Sequence, residues 1–560
     1  MVFDILPLSQ NVSELFAGIA ILGFFLIGFI NAILTSLIAY RYFQVIQQCG
    51  YVSYEYKKWL LRRDNTHLTR LAMLSQLSLL GFLLTNMALS VFNKWWVPYC
   101  GFILYGIFLF VYLSAEFKTK NKLPLVFTKR MVRLILTFFI TTVILSVLLI
   151  FMVNGIALIS PENYLLLNFR YAVLCLFPVL TPFIVLLAYY INSPFENANN
   201  KKYVLAATQK LKGYDNLIKI GITGSYGKTT VKEVLKAMLS TKYKVIATPE
   251  SYNTPLGISK TVNKLDDSYD VFIAEMGARH EGDIKELANI VEPNIAVITG
   301  VTEQHLETFF TINNVKKTKY ELIESMNSGK AYFSSDNKYT IEMYEKCPLS
   351  KYLAGINSEN AFVYATNVVV NEQGTTFTLN YNGKSVECNT ALYGKHNVQD
   401  ICLASAVAIN LGISLNEISS AVASLKQIKH RLELTVNENG VKVLDDGYNA
   451  NVEGVQRALE VLKEFTGKKV VITPGIVELG LYEGEHNYEF GVKMASVCNY
   501  AILVGRGSAL RIREGLLSSG FSAGNIIMVK DLEGAKQELT SIVTNGDTVL
   551  FINDLPDKYS

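Results

Sequence analysis

Five apolar runs crowd the start of this 560-residue chain, roughly Leu15–Tyr40, Leu71–Phe92, Val97–Ala115, Val132–Ile159 and Tyr171–Ile191. About 20 residues at 1.5 Å each cross a hydrocarbon core of about 30 Å, and these runs hold almost no internal charge. A buried core helix accounts for one such run, not for five in succession. Residues 1–192 therefore read as a membrane domain of about five helices. The segment Met1–Glu14 is acidic and the first run is long, so the start does not read as a cleavable signal peptide.

Basic residues orient the helices. Arg41, Lys57, Lys58, Arg62, Arg63 and Arg70 follow the first run, and Lys118, Lys120, Lys122, Lys129 and Arg130 follow the third. Those two loops are expected in the cytoplasm, with the amino terminus outside, the 160–169 loop outside and everything after Asn192 inside. Asn93-Lys94-Trp95-Trp96 reads as a tight hairpin, and Trp59, Trp95 and Trp96 flank spans. The expected location is a bacterial-type cytoplasmic membrane.

The net charge of +4 divides unevenly: residues 1–200 carry 14 Lys/Arg against 7 Asp/Glu, leaving 38 against 41 for 201–560. The basic excess lies between apolar runs rather than on one face of a soluble domain, which argues against a nucleic-acid partner. With 50% hydrophobic and 18% charged residues, a disordered or collagen-like chain is excluded. The seven cysteines show no CxxC-type spacing, so neither disulfides nor a thiolate metal site is expected.

Residues 193–216 are polar and read as a juxtamembrane linker with a short amphipathic helix. Beyond them LIKIGIT, YKVIAT, YDVFIAEM and NIAVITGV alternate with helical stretches, the pattern of a parallel α/β sheet. Residues 361–394 alternate apolar and polar with turn signals, which predicts antiparallel strands at one edge. After Arg431 the βαβ rhythm resumes. The expected architecture is a P-loop-type central ATPase domain, 217–430, and a Rossmann-like domain, 431–560.

The strongest chemical signal is GITGSYGKTTVKEVL at 221–235. A strand, a glycine-rich loop and a helix opening at Lys228-Thr229-Thr230 aim backbone N–H groups and a helix dipole at phosphates. Lys228 is expected at the β/γ-phosphates and the Thr229 hydroxyl on Mg²⁺. The strict GxxxxGK[ST] spacing is not met, because Ile222 stands at the first glycine position.

TGSYGKTT resembles the ATP loop of the Mur ligase family, and about 360 residues follow that family in order. TPESYNTPLGISKTVNKL, AEMGARHEGDIKELANIVEPNIAVITGVTEQHLETF, KKTKYELIE, LYGKHNVQDICLASAVA, HRLEL, LDDGYNANVEGVQRAL and VITPGIVELG resemble its successive motifs. They look most like the member that joins D-alanyl-D-alanine to a UDP-muramoyl tripeptide. The resemblance implies ATP and Mg²⁺, and an acyl phosphate attacked by an amine. It places Thr223, Gly224, Ser225, Gly227, Lys228, Thr229 and Thr230 around the phosphates, with Asn253 on the metal-phosphate side. It also places Glu275 and His305 with Thr229 on Mg²⁺, Lys319 as a carbamate for a second Mg²⁺, Asn397 at the adenine, and Arg431 with Asp446 over the nucleotide. A wet helix face for Lys316–Lys319 and structural ion pairs for Arg431 and Asp445-Asp446 stay open. His280, His396, His486, Tyr448 and Asn449 are candidates for the substrate side.

Two departures concern the substrate. Apolar runs stand where the family's cytoplasmic members carry a UDP-sugar domain, and VLFINDLPDKYS replaces their usual lysine-glycine-serine ending. The expectation is a membrane-bound carboxylate–amine ligase joining an amino acid or dipeptide to a cell-envelope precursor, lipid-linked at the inner leaflet, with other envelope-biosynthesis proteins as candidate partners. The alternatives are a membrane-anchored enzyme adding D-alanyl-D-alanine to the soluble UDP-linked precursor, a non-catalytic ATP-binding scaffold, and, weaker, a transporter.

Overall fold

The computed structural model describes residues 6–62, 66–89, 97–116, 123–158, 171–249, 252–447 and 451–553. The expected 93–96 hairpin, the 160–169 loop, Arg63, Lys118, Lys120, Lys122, Tyr448, Asn449 and the last seven residues lie outside them. The chain forms two compact units, one holding Met1–Asn199 and one Asn200–Asp554.

The described part of each apolar run is helical, in Leu6–Gln48, His67–Leu89, Val97–Glu116, Lys129–Leu158 and, after a 3-10 turn at Ala172–Leu176, Phe177–Lys212. A short helix, Ser53–Leu60, lies between the first two. Among the described residues four helices are long and apolar enough to cross a membrane by length and composition, and Cys100–Glu116 is shorter. The third expected span is the helix Val97–Glu116, 20 residues long and the briefest of the five. Polar side chains between helices and small residues at their contacts fit helix association in hydrocarbon. Asn31 Nδ2 donates to Ser146 Oγ at 3.0 Å, and a Cβ on Gly81 would lie 2.9 Å from Leu104. The outward faces are apolar, with Leu22 70% and Phe110 71% exposed.

The polar stretch from Ser193 is not a linker holding a separate short helix. It continues the helix Phe177–Lys212 without a break, because its last turns gain a core: Ala207 and Leu211 are buried with Leu217, Ile258 and Val262.

The second unit holds two sheets. The strands of the first are β1 (Ile218–Thr223), β2 (Val245–Ala247), β3 (Val271–Glu275), β4 (Ile295–Ile298), β5 (Lys330–Ser334), β6 (Ser350–Ile356), β7 (Val363–Asn371), β8 (Gly374–Tyr381) and β9 (Lys384–Thr390). They are ordered β2-β3-β1-β4-β5-β6-β7-β8-β9. Pairing is parallel from β2 to β7 and antiparallel beyond, so residues 361–394 form the expected edge. Both faces are covered, and the strands show it by alternation. On β3, Val271 and Ile273 join the core under the helices Lys228–Leu239 and Lys395–Asn410. Phe272 and Ala274 join the one under Asp283–Val291 and Ile312–Glu324.

The second sheet has β10 (Glu433–Val436), β11 (Lys442–Asp446), β12 (Lys469–Thr473), β13 (Tyr500–Val504), β14 (Ile526–Val529) and β15 (Thr548–Ile552). Their order is β10-β11-β15-β12-β13-β14, parallel except for β10. Side-chain caps start the connecting helices where the sequence offers them. Thr254, Thr311, Asn451 and Asp531 each accept a backbone N–H of the helix that follows.

Candidate active site

Parallel pairing sets Ile222 of β1 opposite Glu275 of β3. The loop after Thr223 and the carboxylate ending β3 therefore emerge together at the carboxyl end of the sheet, the usual place for a ligand crevice. Two glycines make the loop possible. Gly227 has φ 74°, and a Cβ there would lie 2.4 Å from Asp400 Oδ1. One on Gly224 would lie 2.1 Å from Thr299 Oγ1. The helix Lys228–Leu239 starts from Gly227, so its first N–H groups lack intrahelical partners.

Thr229 Oγ1 lies 3.1 Å from Glu275 Oε2 and 3.3 Å from Oε1. Asn253 Nδ2 lies 3.4 Å from Oε1, and Glu275 is 2% exposed. Sequence reading thus named three members of this cluster but missed a fourth: the fully buried Lys232, whose Nζ donates to Glu275 Oε2 at 3.1 Å. Its spacing of four from Lys228 puts both on one helix face, a signal that was present in the sequence.

Lys228 Nζ donates to Gly224 O at 2.7 Å. Burial lowers its pKa to about 8, against the opposing charge of Glu275. Lys319 is 3% exposed, with burial and then the Lys228 charge lowering it to about 7. The run Lys316–Lys319 is therefore not uniformly a wet face: Lys316 pairs with Glu342 and Lys317 with Glu281, while Lys319 turns inward. The environment makes a neutral amine accessible near neutral pH.

His305 does not hydrogen-bond the Glu275 cluster among the described residues. Its Nδ1 meets Glu478 of the carboxy-terminal domain, and Arg279 lies 3.6 Å from the same carboxylate. Burial lowers the His305 pKa, with Glu478 opposing. Glu478 is distant in sequence from His305, and the VITPGIVELG segment that holds it did not single it out. Asn397 is buried, its Nδ2 donating to Tyr393 O at 2.7 Å. Thr223 Oγ1 and Ser225 Oγ donate to backbone oxygens of Met276 and Thr302 at 3.1 and 3.2 Å.

Asp400, also missed, lies at the meeting of the loop and the carboxy-terminal domain. Burial raises its pKa to about 8, opposed by the charges of Arg457, Arg431 and Lys228 and by a Thr230 hydrogen bond. Burial likewise raises Asp446 to about 6, Arg431 opposing. The Arg457 guanidinium stands 4.1 Å from the centre of the Tyr226 ring in the loop. Of the remaining candidates, His280 is exposed near Asp283, and His486 Nε2 pairs with Glu303 at 3.1 Å. His396 stays on the Arg431 and Arg457 side, its pKa lowered to about 3 chiefly by burial. His430, Glu433 and Asp445 are the only His, Cys and carboxylate group spaced for a metal among the described residues, and it lies near the surface.

The geometry has counterparts in known proteins. The Mur ligase middle domain matches residues 222–408, and the Mur ligase, glutamate ligase domain matches 430–552. The chain belongs to the Mur ligase family. Its relatives include the UDP-N-acetylmuramoyl-tripeptide–D-alanyl-D-alanine ligase of Escherichia coli, 33% identical over 264 residues, 47% of this chain and 58% of that protein. The ligase of the same name from Bacillus subtilis is 28% identical over 342 residues, 59% of this chain and 72% of that one. The chain thus spans under two thirds of the E. coli protein. Among solved structures, MurF from Acinetobacter baumannii superposes with TM-score 0.58 at 26% identity, covering 63% of this chain and 77% of that one. MurF from Thermotoga maritima in complex with ADP gives 0.57 at 26%, covering 63% and 80%. These Mur ligase domains follow an amino-terminal helical extension.

Proposed function

We propose that this Mur ligase forms an amide bond at the expense of ATP, adding D-alanyl-D-alanine to a UDP-linked muramoyl tripeptide, and that its apolar helices hold it in a membrane. The carrying observation is the Thr229–Glu275–Asn253 cluster beside the glycine loop, within residues that match the family's middle domain. The substrate follows the names of the relatives, so the soluble UDP-linked precursor is preferred to a lipid-linked one. A scaffold or transporter has less support, since neither needs this set.

A hydroxyl and a carboxylate at one point suit a hard cation. Thr229, Glu275 and, after rearrangement, His305 would hold Mg²⁺, which neutralises phosphate charge when bound. Bringing a carboxylate to a triphosphate joins two anions, so Lys228 stabilises the charge that develops in transfer. In this reading Thr223, Gly224, Ser225, Gly227 and Thr230 shape the P-loop-type cradle. Lys319, brought down to about 7, is partly neutral at pH 7 and in that form would take up CO₂ and release a proton to become an anionic carbamate, a conversion its ammonium form cannot make. Asn253 orients Glu275, Asn397 meets the adenine, and Arg431 with Asp446 brings the Rossmann-like domain over the nucleotide, excluding water from the acyl phosphate.

One observation favours a second reading. The family models begin at residue 222, and apolar helices occupy the region before them, which suits a lipid-linked carboxylate. The test measures phosphate release by the detergent-purified full chain with ATP, Mg²⁺, D-alanyl-D-alanine and either precursor, with product mass identified. Stimulation by the UDP-linked tripeptide, lost about 10²–10³-fold in Lys228→Ala, is expected. Stimulation by the lipid-linked form alone would replace the first reading with the second. If neither precursor raises release above Lys228→Ala, both readings fail.

A further inference from the structure

Glu275 has an asymmetric surround. Oε2 takes Lys232 Nζ at 3.1 Å and Thr229 Oγ1 at 3.1 Å. Among the described residues Oε1 has longer contacts, Asn253 Nδ2 at 3.4 Å and Thr229 Oγ1 at 3.3 Å. Lys232 is 0% exposed and its Nζ also lies 3.5 Å from Glu233 Oε1, so the ammonium has at least two carboxylates beside it. A buried ammonium with such partners is costly to move, because leaving them strands charge in a low dielectric. A metal approaching Glu275 therefore finds Oε2 already committed and Oε1 less so.

This matters because two common divalent cations use carboxylates differently. Mg²⁺ demands near-ideal octahedral geometry and keeps several waters, whereas Ca²⁺ is larger and readily accepts both oxygens of one carboxylate. We propose that Lys232 is a positioning residue for metal selectivity: by holding Oε2 it leaves Glu275 a one-oxygen ligand, which favours Mg²⁺ over Ca²⁺ beside the nucleotide. The inference rests on the reading of Glu275 as a metal ligand given above. Lys232 itself touches neither nucleotide nor metal in this scheme.

The test is calorimetric binding of ADP to the detergent-purified full chain in MgCl₂, CaCl₂ or EDTA, a readout independent of turnover. In the unaltered protein Mg²⁺ strengthens ADP binding about tenfold more than Ca²⁺ does. Lys232→Met releases Oε2 and brings that ratio close to one, while ADP affinity in EDTA stays within about twofold. Lys232→Arg returns a cationic donor and with it the preference for Mg²⁺. An unchanged ratio in Lys232→Met overturns the proposal. Should that variant not fold, equal binding in Mg²⁺ and Ca²⁺ by the unaltered protein overturns it. If neither metal affects ADP binding in the unaltered protein, the metal role of Glu275 falls, and this inference with it.

Discussion

The helical and α/β units differ in how much buried polarity they leave unpaired, more of it lying among the helices. In the α/β unit Glu275 meets Lys232, Thr229 and Asn253, and the buried Glu321 accepts the backbone N–H groups of Gly282 and Lys285 at 2.7 and 2.9 Å. In the helical unit Asn86 is fully buried and, among the described residues, neither its Oδ1 nor its Nδ2 is paired, nor is the buried Tyr105 hydroxyl. The surfaces invert too: apolar side chains face outward on the helices, whereas those of the sheets are gathered into interior clusters. The difference teaches that the units are built for different surroundings. A helix closes its own backbone hydrogen bonds and tolerates hydrocarbon outside, while a sheet with active-site charges must pair them inside.

The comparison breaks first at the unit boundary. A fragment beginning at Asn200 is expected to leave the membrane fraction entirely while keeping ADP affinity within about twofold of the full chain, since the second unit is compact by itself. Carbonate extraction and calorimetry check this; a fragment that stays in the pellet or cannot bind ADP would show the units to be interdependent.

Asn86→Leu sharpens the polar contrast. Removing an unpaired buried amide is expected to stabilise the helical unit by about 1 kcal/mol, seen as a higher melting temperature in detergent. A lower melting temperature would mean that Asn86 has a partner in the detergent-purified protein.

The smallest effect concerns a pair linking the two domains of the α/β unit. Lys442 Nζ lies 2.6 Å from Glu372 Oε2, and Thr466 N and Oγ1 donate to Oε1 at 2.9 and 2.7 Å. The Lys442 hydrogen bond, then those from Thr466, lower the Glu372 pKa to about 2. Because the carboxyl ionises more easily when folded, its contribution is present above its unfolded pKa and disappears as pH falls through about 2. Solvent screening keeps it to about 0.5–1 kcal/mol at neutral pH. Glu372→Gln should therefore unfold more easily at pH 7, with the difference from the unaltered protein shrinking as pH drops towards 2.

Periodicity and length were enough to place the apolar helices, the βαβ rhythm and the antiparallel edge, because each depends on residues close in sequence. The glycine loop was legible for the same reason: Gly224, Gly227 and the helix start at Lys228 make a local pattern. Local reading stopped short in the 193–212 stretch, where polar composition suggested a linker and the burial of Ala207 and Leu211 with Leu217, Ile258 and Val262 extended the helix. It also missed Asp400 and Glu478, whose environments combine groups from separate elements.

The sequence by itself determined that a set of long apolar helices precedes a nucleotide-type α/β region, and which loop, carboxylate and lysines to watch. Only the tertiary structure decided that Glu275 shares its oxygens with Lys232, that Lys319 alone of its charge run is buried, and that His305 meets Glu478 rather than the Glu275 cluster. The reason is physical: backbone pattern is set by neighbours along the chain, whereas the ionisation and partners of a buried charge are set by whatever the fold brings within a few ångströms of it.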